Sequence, residues 1–299
     1  MRRLLVILLL AAAAQAQAQE LRVAKVGNLE IGYRTYGQLA ADKSNAIVVL
    51  TWLGGTSEGL ASWIGPGNLY DSSKYYVIVI DALGDGVSSS PSNSNISQIT
   101  IRDMVRSQHE LLTRVLKLDH VFAVSGLSMG GIQTFQWVVS YPEFMTKAIP
   151  ISGTPKQTAY DLLLWKTELS LVGSLGMKPI ADINELQLQT PAHIASHTRD
   201  IDALMKSHEE ALQKIDPRNY AAVLRAMIGH DIGPFDAVRA KMLVVVAEQD
   251  HMVNPKPAQE FARATKSELL VLTGDCGHLA TACEKEKLIP AVARFLAEP

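Results

Sequence analysis

The segment that decides the fold is "HVFAVSGLSMGGIQTFQWVVSYP", residues 120–142, in which a serine hydroxyl stands between glycines. An unbroken apolar run ends near Ser125, and a helical pattern starts at Met129. Strands that are buried on both faces of a parallel sheet read as continuous apolar runs of this kind. The segment therefore predicts a buried strand, a sharp turn and a helix, with Ser128 at the turn.

Similar apolar runs recur along the chain and alternate with helical patterns. The runs are NAIVVLTW, YYVIVIDALG, KAIPISG, KMLVVVAEQD and ELLVLTGD, and the helical patterns cover residues 101–118, 129–140, 257–266 and 285–296. Near the start, LRVAKVG and LEIGYRTYG alternate apolar and polar residues around Gly27, which predicts a hairpin. Strands that alternate with helices predict an α/β fold with a doubly wound, mostly parallel sheet.

One segment interrupts this alternation. Residues 157–240 contain helix formers and no convincing strand, so we predict a helical cap inserted between two strands of a single domain that covers residues 19–299. The apolar cap residues at 162–165, Leu169 and Leu171 could line an acyl pocket above Ser128. They could equally pack the cap onto the sheet.

Composition narrows the class of protein. A chain of 299 residues with 47% hydrophobic content can bury a full core. The net charge of -2 has mixed signs and forms no basic stripe, which argues against a nucleic-acid partner. No stretch approaches the roughly 20 apolar residues of a membrane span. We therefore expect a small-molecule partner, and no sequence feature indicates an oligomeric state.

The chain begins with features of export. Residues 1–18 combine two arginines, an apolar stretch and alternating Ala and Gln residues, as in a cleavable signal peptide. We therefore predict a periplasmic or secreted protein. In such an oxidising compartment Cys276 and Cys283 can form a disulfide, although two free buried thiols are the alternative.

The predicted turn matches the pattern G-x-S-x-G, from Gly126 to Gly130. In this setting the middle serine acts as a nucleophile, which needs a basic histidine and an acid that orients it. Asp250 follows the strand KMLVVVAEQD, and His278 follows ELLVLTG. We therefore predict a catalytic triad of Ser128, Asp250 and His278, in the chain order Ser, acid, His.

Each partner of the serine has competitors in the sequence. Glu248 lies two residues before Asp250 and could serve as the acid. His251 and His230 compete with His278 for the role of base. The position of His278 after the last predicted strand favours it.

The same chemistry needs an oxyanion hole with two N–H donors. One is predicted to be Met129, the residue after the nucleophile. The other should come from the loop at 51–56, where we assign Leu53 by position and Trp52 as the alternative.

A metal or cofactor is not expected. His193 and His197 stand four residues apart and could share a helix face, but no third ligand is obvious in the sequence. We therefore predict a pair without metal and no cofactor.

Two longer stretches carry a family resemblance. GLSMGGIQTFQWVVSYPEF around Ser128, and WIGPGNLYDSSKYYVIVIDALGDGVSSSPSN before it, resemble the homoserine O-acetyltransferase group of the α/β-hydrolase fold. The resemblance implies an acyl-enzyme on Ser128. Thr51 stands where that group usually has a histidine, and the cap segment TPKQTAYDLLLWKTELS lacks the group's Asp-x-Trp element.

These departures, together with the predicted export away from cytosolic acetyl-CoA, favour water as the acyl acceptor. We therefore predict a secreted serine hydrolase that acts on acyl esters. An O-acyltransferase that uses an alcohol acceptor is the first alternative, and a catalytically silent binding module is the second.

Overall fold

The structure is a computed structural model and describes residues 19–298. The predicted signal peptide at 1–18 lies outside the described residues. Within them, no helix has both the length and the apolar character needed to cross a membrane.

Eight strands form one sheet, in the order β1-β2-β4-β3-β5-β6-β7-β8. The strands are β1 (Arg22–Val26), β2 (Leu29–Tyr36), β3 (Ala46–Leu50), β4 (Tyr76–Ile80), β5 (Val121–Leu127), β6 (Met145–Ile151), β7 (Lys241–Ala247) and β8 (Glu268–Leu272). β1 and β2 form the predicted hairpin, in which Val26 pairs with Leu29, and β2 runs antiparallel to β4. The other neighbours are parallel. The predicted doubly wound, mostly parallel sheet is confirmed.

The central strands lie between two apolar layers. Every residue of β3 is buried, as its unbroken apolar sequence predicts, because helices cover both faces of a parallel sheet. Side chains alternate between the two faces, so Val48 and Leu50 join one core and Ile47 and Val49 join the other. Because parallel strands point the same way, their carboxyl ends lie along one edge of the sheet, where the loops after β3, β5, β7 and β8 gather.

Ten α-helices accompany the sheet in the described residues. They are α1 (Ile101–Glu110), α2 (Met129–Ser140), α3 (Ala159–Leu175), α4 (Lys178–Leu188), α5 (Pro191–His197), α6 (Ile201–Leu212), α7 (Pro217–Ile228), α8 (Lys256–Thr265), α9 (Ala280–Cys283) and α10 (Lys285–Ala297). α2 has the predicted ends. The pattern at 101–118 is not one α-helix, because α1 is followed by a wider turn at Leu111–Val115 in which Leu116 N–H bonds the carbonyl of Leu111.

The segment predicted as a cap contains α3 to α7, all of which lie between β6 and β7. Leu164 and Trp165 of α3 are buried in the apolar core, whereas Leu163 is 68% exposed. Leu169 and Leu171 are partly buried against the same core. The predicted packing role therefore holds for these four residues and not for Leu163.

A buried polar network joins three of these helices. Glu168 of α3 is fully buried, and its carboxyl group accepts hydrogen bonds from the Tyr220 hydroxyl at 2.8 Å and the Asn184 side-chain amide at 2.9 Å. Burial raises the pKa of Glu168 to about 7, and the two hydrogen bonds oppose this shift only in part. The carboxyl group therefore titrates near neutral pH inside the inserted segment.

Candidate active site

Ser128 lies at the turn between β5 and α2, in a backbone conformation with φ of 57° and ψ of −119°. Such a positive φ costs a residue other than glycine about 1–3 kcal/mol. The turn is held by a hydrogen bond of 2.8 Å from Ser128 N–H to the carbonyl of Ile151 on β6. The fold therefore keeps this hydroxyl in a strained position above the edge of the sheet.

The flanking glycines are required by close backbone contacts. A Cβ atom at Gly126 would lie 2.5 Å from the backbone of Gly130, and one at Gly130 would lie 2.2 Å from the carbonyl oxygen of Leu50. Side chains at either position would force α2 away from β5 and β3. This packing explains why the serine stands between glycines.

The three residues predicted as a triad lie together. Nε2 of His278 is 2.9 Å from Oγ of Ser128, and Nδ1 of His278 is 2.6 Å from Oδ2 of Asp250. The Asp250 side chain is 1% exposed and the His278 side chain 7%. The arrangement forms a continuous hydrogen-bonded chain from a buried carboxylate to the serine hydroxyl.

The two candidate acids, Asp250 and Glu248, differ in how deeply they are buried. Asp250 is buried, and its Oδ1 accepts backbone N–H bonds of 2.8 Å from both Met252 and Val253. Glu248 is exposed, although it follows the same strand. Asp250 is therefore held rigidly against His278, and Glu248 faces solvent.

The competing histidines lack this geometry. His230 is buried in the inserted segment, its Nε2 has no partner among the described residues, and desolvation lowers its pKa to about 4. His251 is partly buried beside Asp250, but it is His278 that contacts both Ser128 and Asp250.

The two predicted oxyanion donors have available N–H groups. Among the described residues, neither the Leu53 nor the Met129 backbone N–H donates a hydrogen bond to another protein group. Met129 is the first residue of α2, so the positive end of the helix dipole adds to its donor strength. Leu53 lines the same cavity as Ser128.

Gln133, which the sequence alone did not single out, braces the loop of Leu53. The side-chain amide of Gln133, on α2, donates a hydrogen bond of 3.1 Å to the carbonyl of Thr51. This bond ties the loop after β3 to the helix that follows the nucleophile. In the sequence, Gln133 stands out only as a polar residue on the buried face of a helix.

Asp81 braces the same loop from the neighbouring strand. Its carboxylate accepts a hydrogen bond of 2.7 Å from the Ser57 hydroxyl and another from the Ser57 N–H. Burial raises the pKa of Asp81, and the hydrogen bonds from Ser57 oppose the shift. Asp81 is thus a structural anchor of the loop after β3.

The loop that carries His278 is fixed by a disulfide and by the inserted segment. Cys276 and Cys283 are joined by a disulfide. The Thr190 hydroxyl, between α4 and α5, donates a hydrogen bond of 2.5 Å to the carbonyl of Asp275. A Cβ atom at Gly277 would lie 3.0 Å from the carbonyl of Leu188, so the loop packs closely on the end of α4.

Ser128 and His278 face a cavity of about 800 Å³. Its apolar walls include Trp52, Leu127, Leu188, Leu212, Ile215 and Leu279. The α3 residues predicted as acyl-pocket candidates, at 162–165, Leu169 and Leu171, are not among the described lining residues. The acyl-pocket interpretation was therefore wrong for α3, because α4, α6 and the loop after α6 supply the cap side of the wall instead.

The two histidines of α5 have a third polar neighbour in the fold. Nδ1 of His193 lies 3.1 Å from Oδ1 of Asp275, and ligand atoms of His193, His197 and Asp275 lie within 4.8 Å of one another. The two imidazole rings stack with centroids 4.1 Å apart and planes 15° apart. Nearly parallel rings do not direct their nitrogens at one tetrahedral centre. The absence of a metal here stays a prediction.

Comparisons with known proteins show which enzymes this chain resembles. Ethyl acetate hydrolase of Pseudomonas veronii is 42% identical over 136 residues, which cover 43% of this chain and 39% of that protein. Homoserine O-acetyltransferase of Methanohalophilus mahii is 36% identical over 165 residues, which cover 46% of this chain and 34% of that protein. The chain thus spans less than half the length of these relatives.

Similar solved structures extend over almost the whole chain. The acetyl esterase MekB superposes with a TM-score of 0.89 at 24% sequence identity, covering 94% of this chain and 98% of that one. The α/β-hydrolase fold expected from the segments around Ser128 is therefore confirmed. The model of the family described as serine aminopeptidase, S33, matches residues 70–278. The chain belongs to this family of α/β-hydrolase-fold enzymes.

Proposed function

We propose that the protein is a serine esterase that hydrolyses acyl esters through an acyl-Ser128 intermediate. The observation that carries the proposal is the hydrogen-bonded chain from Asp250 through His278 to Ser128, at a cavity large enough for an ester. A serine hydroxyl is a poor nucleophile at neutral pH unless a base takes its proton. In this arrangement His278 is that base.

The reaction proceeds in two transfers. Nε2 of His278 takes the hydroxyl proton as Oγ of Ser128 bonds the ester carbonyl carbon, and the carbonyl oxygen becomes an oxyanion. When the tetrahedral intermediate collapses, the bond to the alcohol oxygen breaks and His278 gives its proton to the departing alcohol. A water molecule then repeats the sequence on the acyl-Ser128 ester, releasing the acid and restoring the hydroxyl.

Asp250 and the oxyanion donors stabilise the charges that develop. Asp250 holds Nδ1–H of His278, so that Nε2 faces Ser128, and its negative charge stabilises the imidazolium that forms. The N–H groups of Leu53 and Met129 would donate to the oxyanion. Removal of a single donor of this kind typically costs about 100- to 1000-fold in rate.

The alternatives differ in what happens to the acyl group. An O-acyltransferase would pass it from Ser128 to an alcohol, and the similarity to homoserine O-acetyltransferases supports this as the second candidate. The similarity to ethyl acetate hydrolase supports water as the acceptor. A catalytically silent binding module would form no acyl-enzyme.

One assay separates these candidates. Release of p-nitrophenol from p-nitrophenyl acetate and release of CoA from acetyl-CoA are each measured with and without homoserine. The proteins are the native one, Ser128→Ala and the matched control Ser174→Ala on an exposed part of α3. We expect hydrolysis without any added acceptor, a loss of about a millionfold in Ser128→Ala, and no change in the control.

Other results would reject the esterase. Release of p-nitrophenol or of CoA only when homoserine is present would favour the acyltransferase, because the acyl group on Ser128 would then leave to the alcohol and not to water. Failure of a fluorophosphonate to label Ser128, with no turnover of any ester, would favour the silent module.

We also propose that the protein is exported. The pattern of residues 1–18 and the disulfide between Cys276 and Cys283 support an oxidising compartment. Cell fractionation followed by intact-mass measurement tests this. A cytoplasmic protein of full-length mass would reject it.

A further inference from the structure

We propose that the substrate is an ester with one large apolar group, on its acyl or its alcohol side, which fills the cavity next to Ser128. This inference rests on the proposed esterase function. It adds a substrate class that is larger and more apolar than an acetate ester of a short alcohol.

The first argument is size. A cavity of about 800 Å³ has the volume of about 25–30 water molecules, since one water takes up about 30 Å³ of the liquid. Pockets of 300–1,000 Å³ accommodate drug-sized ligands. An ester as small as ethyl acetate would leave most of this space to water.

The second argument is the chemistry of the wall beside the reacting atoms. Ile215, in the loop between α6 and α7, lies directly over the loop of the predicted oxyanion donor Leu53, because a Cβ atom at Gly54 would lie 2.5 Å from Cδ1 of Ile215. Leu127 at the end of β5 and Leu279 beside His278 line the same cavity. Apolar surface therefore begins next to the position of the ester carbonyl.

The third argument is that several polar side chains in the wall are engaged within the protein, while Oδ2 of Asp85, Oγ of Ser152 and Nε2 of His208 are buried with no hydrogen-bond partner among the described residues. Asp216 is bound by Arg218, with one nitrogen to oxygen distance of 2.7 Å, and Nδ1 of His208 lies 3.4 Å from Glu185. The amide of Asn219 donates to Ser92 at 2.8 Å.

Asn184 is also engaged, and Asp85 is engaged through one of its two oxygens. The amide of Asn184 donates to Glu168, and Oδ1 of Asp85 accepts N–H bonds from Val87 and Ser88. Most of the wall therefore offers apolar contact to a substrate, and the three unpartnered polar atoms can each make a hydrogen bond with it.

The size of the expected effect follows from apolar burial. Each methylene moved from water into an apolar wall improves binding by about fourfold. This energy is present in both the bound substrate and the transition state, so it should raise kcat/KM mainly by lowering KM. Between acetate and hexanoate we expect a gain of at least about tenfold, after allowance for imperfect packing.

The test uses two ester series. In the first, p-nitrophenyl esters run from acetate to octanoate, which varies the acyl side. In the second, acetate esters run from ethyl to octyl and 2-phenylethyl, which varies the alcohol side and is followed by acid release. A rise in kcat/KM of about tenfold or more in either series supports the proposal, and the series that responds identifies the side that occupies the cavity.

A matched pair of variants tests whether the dependence of kcat/KM on ester length arises in the cavity. Leu212→Trp places a bulky ring in the wall, whereas Leu163→Trp adds the same ring on an exposed part of α3 outside the lining. We expect Leu212→Trp to reduce the ratio of hexanoate to acetate kcat/KM at least tenfold. Leu163→Trp should leave this ratio unchanged.

The outcomes separate this inference from the proposed function. If acetate esters are hydrolysed and kcat/KM is flat or falls with length in both series, the large apolar substrate is wrong and the esterase stands. If no ester in either series is hydrolysed, the esterase itself is wrong. An equal shift of the ratio in both Trp variants would mean that the cavity does not set the preference.

Discussion

Replacing Glu168 by Gln should change the pH dependence of stability. The folded state holds the Glu168 proton up to a pKa of about 7, whereas an unperturbed carboxyl group has a pKa of 4.5. Between these values the unfolded chain binds fewer protons than the folded one, so the free energy of unfolding falls as pH rises. The stabilisation is complete below about pH 4.5, and the loss is complete above about pH 7.

The size of the effect follows from the same two values. A difference of about two and a half pKa units corresponds to about 3 kcal/mol, at about 1.4 kcal/mol per unit. No discount for solvent screening is needed, because Glu168 is fully buried. A neutral Gln can keep one hydrogen bond with Tyr220 and one with Asn184 through its amide, so it imitates the protonated acid. Above pH 7 the variant should therefore be more stable than the native protein by up to about 3 kcal/mol.

The assay is urea unfolding at pH values from 4 to 8.5, followed by far-UV circular dichroism. Glu210→Gln, on an exposed part of α6, is the control and should differ from the native protein by an amount that does not vary with pH. We expect Glu168→Gln to match the native protein near pH 4 and to exceed it progressively up to pH 7. A difference between them that is constant across the whole range would refute the assignment of a buried, protonated carboxyl group.

Three further predictions concern the candidate active site. Asp250→Asn should lower kcat on p-nitrophenyl acetate by about ten-thousandfold while the circular dichroism spectrum is unchanged, because the histidine loses its orienting charge; retention of more than a tenth of the activity would count against the triad. Reduction of the disulfide between Cys276 and Cys283 should lower kcat more than it lowers helix content, since the bridge pins the loop of His278; unchanged kinetics in reductant would contradict this role. Gly130→Ala should unfold at least about 3 kcal/mol more easily, because its Cβ would lie 2.2 Å from a backbone carbonyl; a normal urea midpoint would show that the turn can relax.

Periodicity predicted most of the sheet and α2, because those elements are specified by local patterns. Each continuous apolar run became a strand, and the central ones are covered on both faces, whereas β8 at the edge of the sheet is only partly buried. The wider turn after Glu110 was missed because the apolar pattern of a helix continues through it while the hydrogen bonding changes. An apolar pattern reports which face is buried and not which carbonyl each N–H reaches.

The residues of the candidate site that could be predicted are those that follow the ends of strands. Ser128, Asp250 and His278 each follow a strand, and parallel strands bring their carboxyl ends to one edge of the sheet. Their convergence could be expected from topology alone. The brace at Gln133 could not, since a buried polar residue has many possible partners along the sequence and only a few in the packed structure.

The sequence by itself determined the strand-turn-helix of the nucleophile, its glycines and the order of the three polar residues, because these depend on local backbone geometry and chain direction. Only the tertiary structure decided that Asp250 is buried while Glu248 is exposed, and that Asp275 lies beside His193. It also decided that α4, α6 and Ile215 line the cavity and α3 does not. These outcomes depend on how helices far apart in the chain pack over the sheet, and local patterns carry no information about that packing.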